Sequence, residues 1–343
     1  MKAAVLHAYE EAPKIQEVPD PEITGPFDVI VKIGGAGVCR TDLHVIEGHA
    51  GLKAKVNLPH TLGHENAGWI QEVGSGVTNI SVGDAVICHP KQTCGQCRPC
   101  REGQDMHCVN STMSGIEVDG GFAELMKTTA RSIIPLPDGV SPFDVAAQAD
   151  AGISAYHAVK KAIMDGNCFP GSKTVIIGAG GLGHIGIQSL KAMSATEIIV
   201  VDTSPEACQL AEEIGADVTL LADGTQVDKV LEMTDGRGAE AVIDFVGEHG
   251  TTLQAFNMLR RGYNQYVVGY GENIDLPTHT LISSERSFVG NLVGTYNELV
   301  ELLALQAQGK VTLHNKEYPL DAVPDALNDL DQGRIRGRGI IVP

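Results

Sequence analysis

The stretch from Thr174 to Asp202 constrains the fold of this chain more than any other. It reads TVIIGAGGLGHIGIQSLKAMSATEIIVVD, which is a β-branched run, a glycine cluster, an amphipathic run and a second β-branched run that ends in an acid. This order predicts a strand, a tight turn, a helix and a second strand. The turn contains four glycines, three of them in the spacing G-x-G-x-x-G, at Gly178, Gly180, Gly181 and Gly183.

Each glycine of the motif has its own physical reason. Gly178 permits a sharp turn, Gly180 lets a pyrophosphate approach the backbone, and Gly183 lets the helix lie close to the strand. Asp202 follows the last glycine of the motif by about twenty residues, which is the sequence separation expected of an acid that binds the adenosine ribose hydroxyls. The residues after it, 203–206, include no base for a 2′-phosphate, so we expect NAD rather than NADP. The alternative is an ordinary turn between a strand and a helix.

Length and charge limit the remaining possibilities. With 343 residues the chain is long enough for two domains, each with its own core. A formal net charge of -18 disfavours nucleic acid and anionic membranes as partners. No run of residues is typical of a signal peptide or a bilayer span, so we expect a cytoplasmic protein. Of its eight cysteines, half are crowded between residues 94 and 108, which favours metal binding over disulfides.

The hydrophobic pattern changes along the chain. Up to about residue 83, short β-rich runs and turns predict a compact barrel, and a short helix is expected over 39–48. A longer helix is expected over 144–162. From Thr174 onward, strands alternate with helices, which predicts a parallel sheet covered on both faces. The tail after residue 294 has no obvious place in that sheet, and we expect it to return to the first domain.

Four cysteines have the spacing of a structural metal site. They form C-x2-C-x2-C-x7-C, at Cys94, Cys97, Cys100 and Cys108. Four thiolates this close in sequence can surround one zinc ion and leave no position for a substrate. Free thiols or an iron–sulfur cluster are the alternatives, although iron–sulfur spacings differ.

A second set of possible ligands is scattered along the chain. Cys39 lies in CRTDLH, His64 and Glu65 lie in GHE, and Asp150 lies in ADAG. Three protein ligands of mixed type would leave one tetrahedral position open, as a catalytic zinc requires. On spacing alone these residues could equally be structural or solvated.

Taken together, these motifs resemble the zinc-dependent medium-chain alcohol dehydrogenases over essentially the whole chain. The resemblance rests on GHE, the following EVGSGV, the four-cysteine lobe and the glycine turn. It implies an α/β protein in which a GroES-like, β-rich catalytic domain is combined with a Rossmann coenzyme domain. The implied domains are 1–151 with the zinc lobe at 91–109, then 152–292, with 293–343 returning to the catalytic domain. The nearest pattern is that of bacterial NAD-dependent secondary or aryl alcohol dehydrogenases.

The resemblance also implies roles for single residues. Cys39, His64 and Asp150 would bind catalytic zinc, and Asp150 is a departure, because the animal and yeast enzymes have cysteine there. Glu65 would be an alternate ligand or a neighbour of the ligands. Thr41 and His44 would relay the proton of the alcohol. The coenzyme would be bound by the glycine turn with Asp202, and by a further set of residues: Arg40, Ser154, Leu182, Val246, Val268, Leu292 and Arg338.

The activity implied is reversible oxidation of primary or secondary alcohols with NAD and two zinc ions per subunit, in a homo-oligomer, a tetramer rather than a dimer. Alternatives are a polyol or amino-alcohol dehydrogenase, a zinc-free quinone or enoyl reductase, and a catalytically silent NAD-binding protein. The intact Cys39 and His64 count against a zinc-free enzyme. Six histidines are expected at the surface or in turns, without a metal role: His49, His60, His89, His107, His157 and His184. Buried thiols are expected at Cys88, Cys168 and Cys208.

Overall fold

The structure is a computed structural model that describes residues 1–343, apart from the side chain of residue 50. The chain divides into two compact units. The first comprises Met1–Ile153, Thr295–Ala307 and Leu313–Pro343, and the second comprises Ser154–Gly294 and Gln308–Thr312. The functional domain boundaries at residues 151 and 292 stay a prediction. Among the described residues, no helix combines the length and the apolar character needed to cross a bilayer.

The first unit is rich in short strands and holds several short helices. Its strands are β1 (Lys2–Leu6), β2 (Lys14–Glu17), β3 (Asp28–Gly37), β4 (His60–Thr61), β5 (Glu65–Val73), β6 (Ala85–Cys88), β7 (Lys91–Gln92), β8 (Thr112–Met113), β9 (Leu125–Thr129), β10 (Ile133–Pro135), β17 (Asn315–Pro319) and β18 (Arg338–Val342). Its helices are α1 (Arg40–Ile46), α2 (Ala50–Lys53), α3 (Arg98–Arg101), α4 (Pro142–Val145), α11 (Tyr296–Ala307) and α12 (Val323–Asp331). Four short 3-10 turns also occur, at Asp105–His107, Ala130–Ser132, Ala146–Ala149 and Leu320–Ala322.

Strand β3 is the centre of this unit. It pairs antiparallel with β5, β9 and β18, within a sheet of order β10-β6-β5-β3-β18-β17. The unit also contains the small sheet β2-β1-β4 and the ribbon β7-β8. Its core is apolar and closed to solvent, with Leu6, Val31, Ile70 and Phe122 at 2% exposure or less. Removing such side chains from water stabilises a fold by roughly 1.5–3 kcal/mol each.

The second unit contains the predicted alternation. Its strands are β11 (Lys173–Ile177), β12 (Glu197–Asp202), β13 (Val218–Leu221), β14 (Ala239–Asp244), β15 (Leu259–Val267) and β16 (Ser287–Gly290). Its helices are α6 (Gly183–Met193), α7 (Pro205–Ile214), α8 (Gln226–Met233), α9 (Thr251–Met258) and α10 (Thr278–Ser284), and α5 (Ala151–Met164) carries the chain into it. The strands form one parallel sheet of order β13-β12-β11-β14-β15-β16. The predicted parallel sheet is therefore confirmed.

The single helix predicted over 144–162 is wrong. The chain instead forms α4, a 3-10 turn and α5, with an irregular Asp150 (φ -128°, ψ -58°) before α5. The cause is tertiary: the Ala151 amide donates to Glu65 Oε1 (3.0 Å) instead of continuing a helical ladder. Apolar periodicity could not have predicted this break, because the acceptor lies far away in the sequence.

Candidate active site and metal centres

The scattered ligand candidates lie together in the first unit. Cys39 caps the start of α1, His64 and Glu65 lie at the start of β5, and Asp150 precedes α5. The register of β3 and β5 pairs Gly37 with Glu65. Cys39 and His64, which lie beside that pair in the sequence, are therefore close together. One ligand atom from each of the four side chains lies within 4.8 Å of the others. Cys39, His64 and Glu65 are buried, and Asp150 is only partly exposed.

His64 is oriented by a residue that the sequence reasoning missed. Its Nδ1 donates to Asp42 Oδ1 (3.2 Å), and Asp42 Oδ2 accepts the Cys39 amide (2.9 Å). The buried Nε2 forms no hydrogen bond with any described residue and faces Asp150 Oδ2 at 3.5 Å. A carboxylate behind a ligand histidine is the usual arrangement in metal sites. The short spacing of Asp42 from Cys39, in CRTD, is the sequence signal that could have revealed it.

The electrostatics of this cluster favour a cation. Burial by itself lowers the pKa of His64, but the carboxylates of Asp42 and Asp150 raise it well above its usual value. The same negative surroundings attract a metal ion. A thiol, an imidazole nitrogen with no hydrogen bond and a carboxylate form a donor set that suits zinc. The residues present therefore fit a catalytic zinc ion.

Glu65 and Arg338 form a buried ion pair beside this cluster. Glu65 Oε2 accepts from Arg338 Nη2, which also donates to the Val38 carbonyl (2.9 Å). Glu65 Oε1 accepts the Ala151 amide. Burial raises the pKa of Glu65 to about 7, although Arg338 opposes that change. Both carboxylate oxygens thus hold the framework around the ligands. The role of Glu65 as an alternate ligand and that of Arg338 as a coenzyme contact stay predictions.

The four-cysteine lobe forms the second cluster, with its sulfur atoms within 4.8 Å of one another. The Sγ atoms of Cys97 and Cys100 are 3.5 Å apart, and those of Cys94 and Cys108 are 3.6 Å apart. A disulfide needs about 2.05 Å, whereas sulfurs bound to one tetrahedral zinc lie about 3.8 Å apart. Backbone amides of Gln96 and Cys97 lower the pKa of Cys94 to about 6. The lobe therefore fits a structural zinc.

The relay candidates lie on α1. Thr41 is partly exposed, and His44 is buried at 3% exposure, so His44 is not a solvated surface imidazole. The ring of His44 stacks on that of His49, with centroids 4.4 Å apart and planes 13° apart. Arg40 is exposed, and its Nη1 lies 3.4 Å from Asp331 Oδ1. The roles predicted for Thr41, His44 and Arg40 stay predictions.

The glycine turn joins β11 to α6 as the motif requires. Gly178 has φ +87°, a region that favours glycine. A Cβ at Gly183 would collide with the Gly178 carbonyl oxygen, whereas a Cβ at Gly180 would meet nothing within 4 Å. The Gly180 backbone therefore borders open space in which the pyrophosphate of a dinucleotide can approach it. Asp202 Oδ2 accepts the Ala179 amide (2.7 Å), so the acid at the end of β12 lies against this turn.

Asp244, which the sequence reasoning also missed, organises the neighbouring loop. Its buried carboxylate accepts the amides of Val246 (2.9 Å) and Gly247 (3.1 Å), and its carbonyl accepts the Val268 amide (2.9 Å). Burial raises the pKa of Asp244. Of the other predicted coenzyme contacts, Ser154 is buried and Leu292 is half exposed. Their roles as coenzyme contacts stay predictions.

The histidine and cysteine assignments outside the clusters had mixed outcomes. Four of the histidines expected at the surface or in turns are buried, at 8% exposure or less: His60, His89, His157 and His184. His184 Nδ1 contacts the Gly180 carbonyl (3.0 Å), which satisfies one of its two ring nitrogens. The predicted burial of Cys88, Cys168 and Cys208 is confirmed.

The sequence and the fold are similar to those of known dehydrogenases. Residues 25–138 match the alcohol dehydrogenase GroES-like domain, and residues 181–308 match the zinc-binding dehydrogenase family. The NAD-dependent alcohol dehydrogenase of Sulfolobus acidocaldarius is 34% identical over 99% of both chains. The D-arabinose 1-dehydrogenase (NADP(+)) of Saccharolobus solfataricus is 34% identical over 100% of this chain and 97% of its own. The crystal structure of the alcohol dehydrogenase from Aeropyrum pernix superimposes with a TM-score of 0.96 at 46% identity, over 100% of both chains.

A β-rich unit with two zinc-type clusters and a parallel-sheet unit with a dinucleotide-type turn define a zinc-dependent dehydrogenase. Within that class, the chain belongs to the zinc-dependent medium-chain alcohol dehydrogenase family. The predicted family and the predicted combination of GroES-like and Rossmann folds are confirmed. The predicted function, zinc-dependent alcohol dehydrogenation, is confirmed with them.

Proposed function

We propose that this chain catalyses the reversible oxidation of primary or secondary alcohols to aldehydes or ketones, with NAD as hydride acceptor and zinc held by Cys39, His64 and Asp150. The observation that carries the proposal is the set of three different donors, two of them buried and Asp150 partly exposed, with Asp42 behind His64. Three protein ligands leave one tetrahedral position for the oxygen of a substrate.

The protein side of the chemistry consists of holding the metal ligands and moving a proton. When bound, zinc acts as a Lewis acid that lowers the pKa of an alcohol, and NAD accepts the hydride. Asp42 accepts the hydrogen bond of His64 Nδ1–H, so that Nε2 is the nitrogen that would bind the metal ion. As Thr41 Oγ1 accepts the proton of the alcohol, it passes its own hydroxyl proton to His44. Because both lie on α1, they keep a fixed spacing during this transfer.

NAD is preferred over NADP because Asp202 is an acid placed against the glycine turn. An acid that accepts ribose hydroxyls repels a 2′-phosphate. Replacing Asp202 with serine removes that repulsion, so we expect NAD to bind more weakly and the preference to shift toward NADP. An unchanged ratio of kcat/KM for the two coenzymes would contradict the assignment.

A sugar or polyol is the second candidate substrate. One relative of similar identity is named for D-arabinose and NADP(+), so membership of the family alone does not decide the substrate. An amino alcohol is the third candidate substrate. The deciding test is a panel of alcohols, aldehydes, ketones, polyols and sugars with NAD(H) and NADP(H). Turnover of sugars above all alcohols would replace the leading proposal.

The role of the catalytic cluster is tested by Cys39→Ser. We expect it to abolish alcohol turnover, because serine is a poor zinc ligand beside the thiolate it replaces. The matched control is Cys208→Ser, a buried cysteine of α7 that belongs to neither cluster. Native turnover in a Cys39→Ser protein, or in one stripped of metal, would refute zinc catalysis.

Three further features belong to the proposal. We expect two zinc ions per subunit, one in each cluster, since each provides a donor set that suits zinc. We expect a homo-oligomer, a tetramer rather than a dimer, which light scattering on the purified protein will test. We expect it in the cytoplasm, which cell fractionation will test.

A further inference from the structure

A third group of metal-binding side chains lies at the end of α1, apart from the two clusters above. It consists of His44, Glu47 and His49, which occur in the run HVIEGH. Each offers one ligand atom, and the three atoms lie within 4.8 Å of one another. His44 is buried, whereas Glu47 and His49 are about half exposed, at 49% and 46%.

The backbone fixes this grouping. Helix α1 ends at Ile46, and Glu47 still bonds to it through its amide and the Leu43 carbonyl (2.8 Å). Gly48 then adopts φ +70°, which turns the chain so that the His49 amide donates to the His44 carbonyl (3.1 Å). The turn therefore returns His49 over His44, and only side-chain rotation remains to be adjusted.

The chemistry of the three side chains matches a borderline divalent metal ion. Two imidazoles and one carboxylate form a donor set found in zinc enzymes, and imidazole also suits nickel and copper. A net charge of -18 raises the local concentration of cations around the protein. The family resemblance assigns no role to Glu47 or His49, and the sequence pattern indicates no metal role for His49.

One rearrangement is needed for binding. The rings of His44 and His49 are stacked, and His49 Nε2 is paired with Glu47 Oε2 at 3.0 Å. A metal ion lies in the plane of each imidazole that binds it. Two rings that are stacked in parallel therefore cannot both bind the same metal ion. His49 is exposed enough to turn its ring, and the metal ion then replaces its contact with Glu47.

We propose that His44, Glu47 and His49 form a third, exchangeable site for a divalent transition-metal ion such as Zn²⁺ or Ni²⁺, and that metal binding there inhibits turnover. Solvent completes the coordination, because two of the three ligands are exposed. The inhibition rests on the proposed function, in which His44 takes a proton: a metal ion on its ring nitrogen blocks that transfer. Metal binding itself does not depend on that role.

Binding is tested on the holoenzyme, with both zinc clusters loaded and excess metal removed. Calorimetric titration with Ni²⁺, and Zn²⁺ competition against a chromophoric chelator, should each reveal one further site. We expect metal affinity to fall by roughly tenfold or more in His49→Gln and in Glu47→Gln, since each variant loses a ligand. The control is His279→Gln, an exposed histidine of α10, which should bind like the unmodified protein. Equal affinity in all four proteins would overturn the site.

Inhibition is tested separately, by turnover at increasing Zn²⁺. His49→Gln and Glu47→Gln should match the unmodified protein without added metal and need roughly ten times more Zn²⁺ for half inhibition. Inhibition at the same Zn²⁺ concentration in all proteins would overturn the proposed link to this site. Binding without any inhibition would overturn the inhibitory part of the proposal and leave the metal site itself standing.

Discussion

Asp42 determines which nitrogen of His64 is available to a metal. Its carboxylate accepts a hydrogen bond from Nδ1–H, so Nε2 is the nitrogen left for a metal ion. Asp42→Asn keeps the size of the side chain and removes its charge. We expect zinc affinity at the catalytic cluster and kcat/KM to fall by roughly 10- to 100-fold. Zinc content and steady-state kinetics measure both effects.

The control for that variant is Asp144→Asn, at an exposed aspartate of α4. It should leave zinc content and turnover unchanged. If Asp42→Asn kept both its zinc and its rate, the carboxylate would have no part in preparing the ligand, and the hydrogen bond to His64 would be only structural.

At the scale of the element, the turn before α6 separates two uses of glycine. A Cβ at Gly180 meets open space, so Gly180→Ala should fold normally but raise the KM for NAD roughly tenfold or more, because the methyl group occupies the approach of the pyrophosphate. A Cβ at Gly183 meets the Gly178 carbonyl oxygen, so Gly183→Ala should lower the thermal midpoint as well. Nucleotide titration and thermal melting distinguish the two.

Gly51→Ala serves as the control, because a Cβ there also meets nothing within 4 Å and the residue lies in α2. It should change neither coenzyme binding nor the midpoint. Equal KM values for NAD in Gly180→Ala and Gly51→Ala would show that the space beside Gly180 is not where the phosphate comes.

Asp329 of helix α12 contacts side chains of β17, and we expect these contacts to make the stability of the fold depend on pH. Asp329 accepts from Lys316 Nζ (2.9 Å), Tyr318 OH (2.7 Å) and Arg334 Nε (2.8 Å), which hold its pKa well below the usual range. A lowered folded-state pKa stabilises the fold above the unfolded pKa of about 4, and the gain is lost as pH falls. Asp329→Asn should therefore lower the thermal midpoint at pH 7, and the difference should narrow below about pH 4.

For this variant the comparison is Asp138→Asn, at an exposed aspartate of the same unit. Its midpoint should follow that of the unmodified protein across the same range of pH. A difference for Asp329→Asn that stayed constant from pH 7 to pH 3 would mean that the contacts of Asp329 do not depend on its charge.

Local patterns explain what the sequence could predict at this scale. The strand, turn and helix around Gly178 and the lobe around Cys94 are encoded in consecutive residues, and both form. The break at Asp150 and the placement of Asp42 behind His64 depend on partners that the fold supplies. The burial of His184 belongs to the same group, because a single polar residue carries no periodic signal. The resemblance supplied the ligand set for the catalytic cluster, which spacing alone left open.

At the scale of the whole molecule, both metal clusters belong to the first unit, whereas the glycine turn belongs to the second. The proposed ligands of the lobe come from residues 94–108, so a metal ion bound there would stabilise a short segment with little regular structure. The proposed ligands of the other cluster come from three distant segments, and Glu65 and Arg338 hold these segments together by hydrogen bonds. Loss of the metal ion from the lobe and loss of the metal ion from the catalytic cluster should therefore have different consequences.

The test is a pair of variants with metal analysis. The unmodified chain should contain two zinc ions, and Cys39→Ser and Cys97→Ser should contain one each. Cys39→Ser should lose turnover and keep its thermal midpoint, because buried protein contacts support that cluster without metal. Cys97→Ser should keep turnover at low temperature and melt earlier, because a structural zinc contributes directly to folding free energy. A fully active preparation with zinc only in the lobe would contradict the assignment of the catalytic cluster, since alcohol oxidation would then proceed without the metal ion that Cys39, His64 and Asp150 are proposed to hold.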